Sequence, residues 1–291
     1  MGLISLKLVA KTAQVGDFPV RRALPQREHR LVGPFCFLDH MGPHTATGVE
    51  NGGVGPHPHI GLATVTYLFE GEALHRDSLG SEQLITPGDV NWMSAGSGIA
   101  HSERTPKNRV GTSLPFHGLQ VWVALPAALE ESAPSFQHVS KAELPFSQDN
   151  GCSMRVVLGD WQGARSPVRL ASPTAYVVAE LEPRGQLELP AQYPDRAIYV
   201  VEGEVEVDGV QFVAGEIGFL TSGQAGCLTA FTNARVAVFA GEPLEGPRYM
   251  WWNFVSSRRE RLEQAREDWK HRRFALIPGD SEDRIPAPGE T

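Results

Sequence analysis

Four residues in the first half of the chain have the types and the spacing of a metal site. His57 and His59 stand two apart in GPHPHIGLATVTYLFEG, and His101 and Glu103 stand two apart in PGDVNWMSAGSGIAHSE. In extended chain, residues i and i+2 point to the same face. Two such pairs on facing strands therefore aim four ligands at one point. Three imidazoles and one carboxylate suit a single first-row transition metal and leave coordination positions for water or substrate. A structural zinc site would draw on cysteines instead. Either pair alone carries little weight; the two together, each abutting a strand, predict a metal centre.

The elements that must position these residues read as short β-strands between Gly, Pro, Asp and Asn punctuation. Val, Thr, Ile, Tyr and Phe concentrate in 63–69, 119–125, 154–158, 175–181, 197–201, 204–207 and 235–240, residues that fit a pleated surface. The 30 glycines and 22 prolines suit an all-β chain with frequent turns. The second half repeats the plan of the first. TVTYLFEG (64–71) and AIYVVEG (197–203) both end a strand in Glu-Gly, and TPGDVNWMSAG (86–96) and VAGEIGFLTSG (213–223) align without a gap. The Pro-rich, charged stretch 127–151 breaks the rhythm and reads as a linker. The expected division is an N-terminal metal-binding domain over 1–126, a linker over 127–151 and a C-terminal domain over 152–291. In the tail, Ser257 and Glu260 have capping-box spacing. After them Leu262, Ala265 and Trp269 share one helical face, predicting an amphipathic helix over about 258–272 that packs on the β domains.

Composition excludes other classes. A net charge of −8 argues against direct nucleic-acid binding. The basic cluster Arg258, Arg259 and Arg261 is interleaved with Glu260, Glu263, Glu267 and Asp268, the pattern of a solvated helix face. Cys36, Cys152 and Cys227 are odd in number and far apart, which fits reduced thiols better than disulfides. The N-terminus MGLISLKLVAK has no long apolar core, and no apolar run approaches the ~18 residues of a membrane span. A soluble, cytoplasmic protein without membrane contact is the expectation.

The two ligand segments resemble the paired motifs of cupins, and more closely those of the pirin family. In the usual first cupin motif a glutamate follows the second histidine by five residues; here Gly71 of that motif is in place but Thr64 holds the glutamate position. In the second motif Gly88 and Gly96 fit, Ser94 replaces a proline, and the carboxylate returns as Glu103. FCFLDHMGP (35–43), HGLQVWVALP (117–126) and NFVSSRRERLEQAREDW (253–269) are also similar to pirins. The resemblance is weaker across 127–247. It implies two tandem cupin barrels (double-stranded β-helix, jelly-roll) with a C-terminal amphipathic helix. It also implies one mononuclear divalent metal on His57, His59, His101 and Glu103, with iron expected first and manganese, nickel or copper acceptable. The second copy carries Leu189, Ala191 and Arg196 where the first carries ligands and Thr64, so it is expected to be a metal-free scaffold.

Proteins of this family are known as quercetinase-type dioxygenases. The implied reaction opens the heterocycle of a flavonol such as quercetin with O₂ and releases carbon monoxide. Glu103 is then both ligand and candidate general base. The rival reading, also from the resemblance, is a metal-dependent regulatory or redox-sensing protein that acts through a protein partner. The same four residues serve either, and the acidic charge favours a protein over DNA as that partner. A third reading keeps the oxygenase but gives it another enolisable or aromatic substrate. Of the other histidines, His40 and His44 read as structural, and His75, His117, His138 and His271 as surface or satisfied polar groups. Gln120 and Trp122 alternate on one strand, so that strand face looks either into the pocket or into the core.

Overall fold

The computed structural model describes residues 2–15 and 18–290. Every predicted strand forms, most with longer ends: 63–69 lies within Leu62–Glu70, 119–125 largely within Ser113–Ala124, and 154–158 within Cys152–Trp161. Among the described residues one 3₁₀ turn, Lys107–Arg109, and one α-helix, Arg259–Lys270, interrupt the β-structure. No helix among them is long and apolar enough to cross a membrane.

The chain packs as two compact units, and each combines antiparallel sheets in the manner of a cupin barrel. In the unit rich in second-half residues, Ile4–Val9, Glu216–Leu220, Asp195–Glu202, Ala234–Gly241, Thr174–Leu181, Cys152–Trp161 and Phe146–Asp149 follow one another in a large sheet. A smaller sheet orders Gln186–Leu189, Gly226–Ala230, Glu204–Val207 and Val210–Val213. The inward side chains of both sheets meet in one core that includes Leu3, Val177, Ile198, Val205, Phe212 and Leu228. Here Leu189 is fully buried. The Arg196 guanidinium donates to the carbonyls of Leu189, Pro190, Thr221 and Gln224.

The other unit holds Ser135–Val139, Val90–Ser94, Leu62–Glu70 and Ser113–Ala124 side by side in its larger sheet. Its smaller sheet orders Gly53–His59, Ile99–Arg104, Ala73–Asp77 and Glu82–Ile85. The C-terminal tail belongs to this unit. Leu262, Ala265 and Trp269 turn one helix face onto Ile60, Ala100 and Phe254, as the periodicity predicts. Gly61 permits the approach: its φ is +67°, and a Cβ there would run into the Val255 carbonyl. Further along, Arg104 holds Asp280 through two hydrogen bonds, and the Ile285 N–H donates to the Pro56 carbonyl at 2.8 Å.

Three expectations need correction. The units are not consecutive blocks. One comprises Met1–Ala13, Val20–His40 and Ala142–Leu244, the other Gln14–Pro19, Met41–Lys141 and Glu245–Thr291. The division 1–126, 127–151 and 152–291 fails because Ile4–Val9 pairs with Glu216–Leu220 while the tail buries its apolar face around Ile60 and Ala100. Nor is 127–151 a free linker: Ser135–Val139 pairs with Val90–Ser94, and Phe146–Asp149 pairs with Cys152–Arg155. Finally, the helix starts at Arg259 without a side-chain cap. Ser257 donates instead to the buried Glu130 at 2.7 Å, which takes the hydroxyl away from the helix end.

Candidate metal centre

The strands Gly53–His59 and Ile99–Arg104 lie antiparallel, with Ile99 opposite His59 and His101 opposite His57. This register puts the three imidazoles on one face of the small sheet, and a ligand nitrogen of each lies within 4.8 Å of the others. All three side chains are buried. Past His101 the ladder takes an irregular step and Glu103 pairs with Val54. On its other edge Ile99–Arg104 pairs regularly with Ala73–Asp77, so His101 faces Asp77 and Glu103 faces His75.

The imidazoles are set up as lone-pair donors. His57 Nδ1 is 2.8 Å from the Gly55 carbonyl and His59 Nδ1 is 3.1 Å from the Asn253 carbonyl. A carbonyl only accepts, so each Nδ1 carries the proton and each Nε2 keeps its lone pair toward the cluster. His59 Nε2 and His101 Nε2 stand 3.1 Å apart. Two nitrogens bound at ~2.1 Å and at right angles on one ion would be separated by about 3 Å. The donor set and its spacing thus fit a single cation.

Burial pushes the His57 imidazole down to about 4, with a further push from His75 and Arg104. His59 and His101 are held well below the ordinary imidazole range, first by burial and then by the neighbouring histidines. Neutral imidazole is the form that binds metal. It also couples folding to pH. A folded-state value below the ordinary 6.5 means that the unfolded chain takes up more protons as pH falls. The histidines' contribution to the stability of the metal-free protein is therefore full above pH 6.5 and declines toward pH 4, with about 3 kcal/mol from His57 alone. Urea unfolding of the metal-free chain across this range should show that decline, and His57→Asn should make it shallower.

Glu103 lies outside the group of clustered ligand atoms. Its Oε1 is 2.7 Å from Thr66 Oγ1, and the same hydroxyl is 3.0 Å from Gln120 Oε1. A hydroxyl has one proton to give, and the bond to a carboxylate is the stronger of the two. The Gln120 amide then serves Thr66 best with its NH₂ turned toward the oxygen. Burial raises the Glu103 carboxyl above its usual range, against the lowering effect of the Thr66 bond. Trp122, two residues beyond Gln120, sets its ring edge-on to His59 at 5.1 Å. The Gln120–Trp122 face of its strand thus meets the site residues.

Two residues next to the cluster escaped the sequence reading. His75, expected to be a surface or satisfied polar group, is 2% exposed and 5.3 Å from His101 between ring centroids. Its Nε2 pairs with the fully buried Asp77 at 3.2 Å. The signal was present: His75 and Asp77 repeat the i, i+2 spacing of both ligand pairs. His117 is also buried, edge-on to Phe69. His138 pairs with Asn91, and His271 is exposed beside Glu267. His40 is buried between Arg21 and the Tyr199 hydroxyl, a structural placement. His44 lies against Phe18 and Phe116.

Comparison with known proteins matches the same regions. The pirin family profile fits residues 17–123, and the profile of the pirin C-terminal cupin domain fits residues 176–275. A pirin-like protein of Caulobacter vibrioides is 47% identical over 98% of this chain and 100% of its own length. The crystal structure of a quercetin 2,3-dioxygenase from Acinetobacter baumannii is 35% identical, superposes with a TM-score of 0.89 and covers 98% of this chain and 95% of that one. A second structure of that name from the same organism is 27% identical with a TM-score of 0.88, covering 97% of this chain and all of the other.

Proposed function

Because this chain belongs to the pirin family, we propose that it is a metal-dependent dioxygenase that opens the heterocycle of a flavonol such as quercetin. The observation that carries this reading is the cluster of three buried, neutral imidazoles with Glu103 two residues beyond the last of them. His57, His59 and His101 would hold one divalent metal, iron before manganese, nickel or copper, and Glu103 would complete the set. The metal would supply Lewis-acid stabilisation of the substrate's enolate oxygen.

The rest falls to the chain. Glu103 accepts the enolic proton of the flavonol, and its raised affinity for protons suits that task. Thr66, backed by Gln120, fixes the carboxylate while it does so. Trp122 walls the site beside His59 and offers an aromatic face to a planar substrate. Both atoms of O₂ enter the ring-opened product as carbon monoxide leaves. The dioxygenase named in the comparison supports the reaction class.

The test is an oxygen-electrode assay with quercetin and related flavonols, with parallel detection of carbon monoxide. Metal-loaded protein should consume one O₂ for each carbon monoxide released, and chelated protein should consume none. Failure with iron, manganese, nickel and copper alike would move the regulatory reading ahead.

A further inference from the structure

The reaction above makes no use of the most deeply buried acid–imidazole pair beside the cluster. Asp77 is immobilised: its Oδ1 accepts from the Leu79 and Ser81 N–H groups at 2.9 and 3.0 Å. Its Oδ2 faces His75 Nε2 at 3.2 Å. The His75 ring is fixed in turn by Phe136, stacked at 4.4 Å with 14° between the planes. An ionised carboxylate only accepts, so the His75 proton sits on Nε2 and the neutral ring keeps a lone pair on Nδ1.

Next to that ring lies an unpartnered buried nitrogen, Nδ1 of His101. His101 turns Nε2 into the cluster; a metal engaged there leaves the ring's proton on Nδ1, and that buried atom has no hydrogen-bond partner. The other two imidazoles both spend Nδ1–H on a backbone carbonyl; His101 alone has none. A buried donor left unpaired costs about 1–3 kcal/mol. With metal on Nε2, one unpaired donor and one ring with a lone pair on Nδ1 thus belong to rings 5.3 Å apart between centroids.

We propose that His75 and Asp77 are positioning residues for His101: Asp77 fixes the tautomer of His75, and His75 Nδ1 receives the His101 Nδ1–H when Nε2 is engaged by metal. The inference rests on the reading of the three imidazoles as a metal site. Carboxylate–histidine support of a ligating histidine sets ring orientation and basicity, and its loss lowers metal affinity by roughly 10–100-fold.

The experiment uses the full chain, Co²⁺ as probe and a competing chelator, with three proteins: wild type, His75→Phe and Asp77→Asn. Phenylalanine keeps the stack on Phe136 and removes the acceptor. Asparagine keeps its oxygen for the Leu79 and Ser81 N–H groups and turns NH₂ toward His75, which forces the proton onto Nδ1. Both variants should bind Co²⁺ about 10–100-fold more weakly and shift its visible ligand-field bands. The metal-free Asp77→Asn protein should melt close to metal-free wild type, so this variant decides the matter should His75→Phe fail to fold. Wild-type affinity and an unchanged spectrum in a folded Asp77→Asn protein would overturn the proposal. Wild type that takes up no Co²⁺ would overturn the metal reading and this inference with it.

Discussion

His101→Ala is expected to lose metal and flavonol turnover together. The imidazole's Nε2 sits 3.1 Å from His59 Nε2, and among the described residues no other imidazole or carboxylate joins the three-histidine group. Alanine removes one of three nitrogen donors from a buried face that water cannot readily refill. The affinity loss should exceed the ~10–100-fold typical of an outer-sphere change. Elemental analysis after dialysis reads the metal, and O₂ uptake reads the turnover. The two losses should scale together, and restoring metal in excess should restore some of both. Loss of turnover with full metal would mean that His101 acts on substrate rather than on the ion.

Glu103→Gln should separate the same two quantities. The three histidines remain, and an amide oxygen still ligates weakly, so most of the metal should stay. Thr66 can still donate to the amide oxygen, which keeps the side chain in place. What disappears is the negative charge and the proton acceptor, a contribution of roughly 10²–10⁴ in rate. The drop should fall on kcat more than on KM, since the lost interaction belongs to the transition state. Full metal with full activity would exclude the base role.

Much of this site was legible because it depends on a local rule. The i, i+2 spacing of His57 with His59 and of His101 with Glu103 puts each pair on one strand face whatever the remainder of the chain does. The strands themselves are patterned locally, and so is the helix face of Leu262, Ala265 and Trp269. The units were less legible, because they depend on pairings over long sequence distances. Nothing in ISLKLV announces that it hydrogen-bonds with EIGFL more than two hundred residues later. The stretch 127–151 misled because Ser135–Val139 is a short edge strand with few apolar residues, held by pairing to Val90–Ser94. The capping box failed for a similar reason: a buried Glu130, distant in sequence, competes for the Ser257 hydroxyl. Thr66, Gln120 and His75 reach the site from other strands, and their parts emerge only when the sheets are assembled.

The most direct measurement on the centre is X-ray absorption at the edge of the metal that co-purifies with the full chain, with elemental analysis on the same sample. One metal per chain is expected, with a nitrogen/oxygen first shell and the outer-shell scattering of about three imidazoles. That imidazole scattering should weaken by about one third in His59→Ala metallated with excess ion. A stoichiometry near zero, a sulfur-dominated shell, or a spectrum unchanged by His59→Ala would contradict a metal held by His57, His59 and His101.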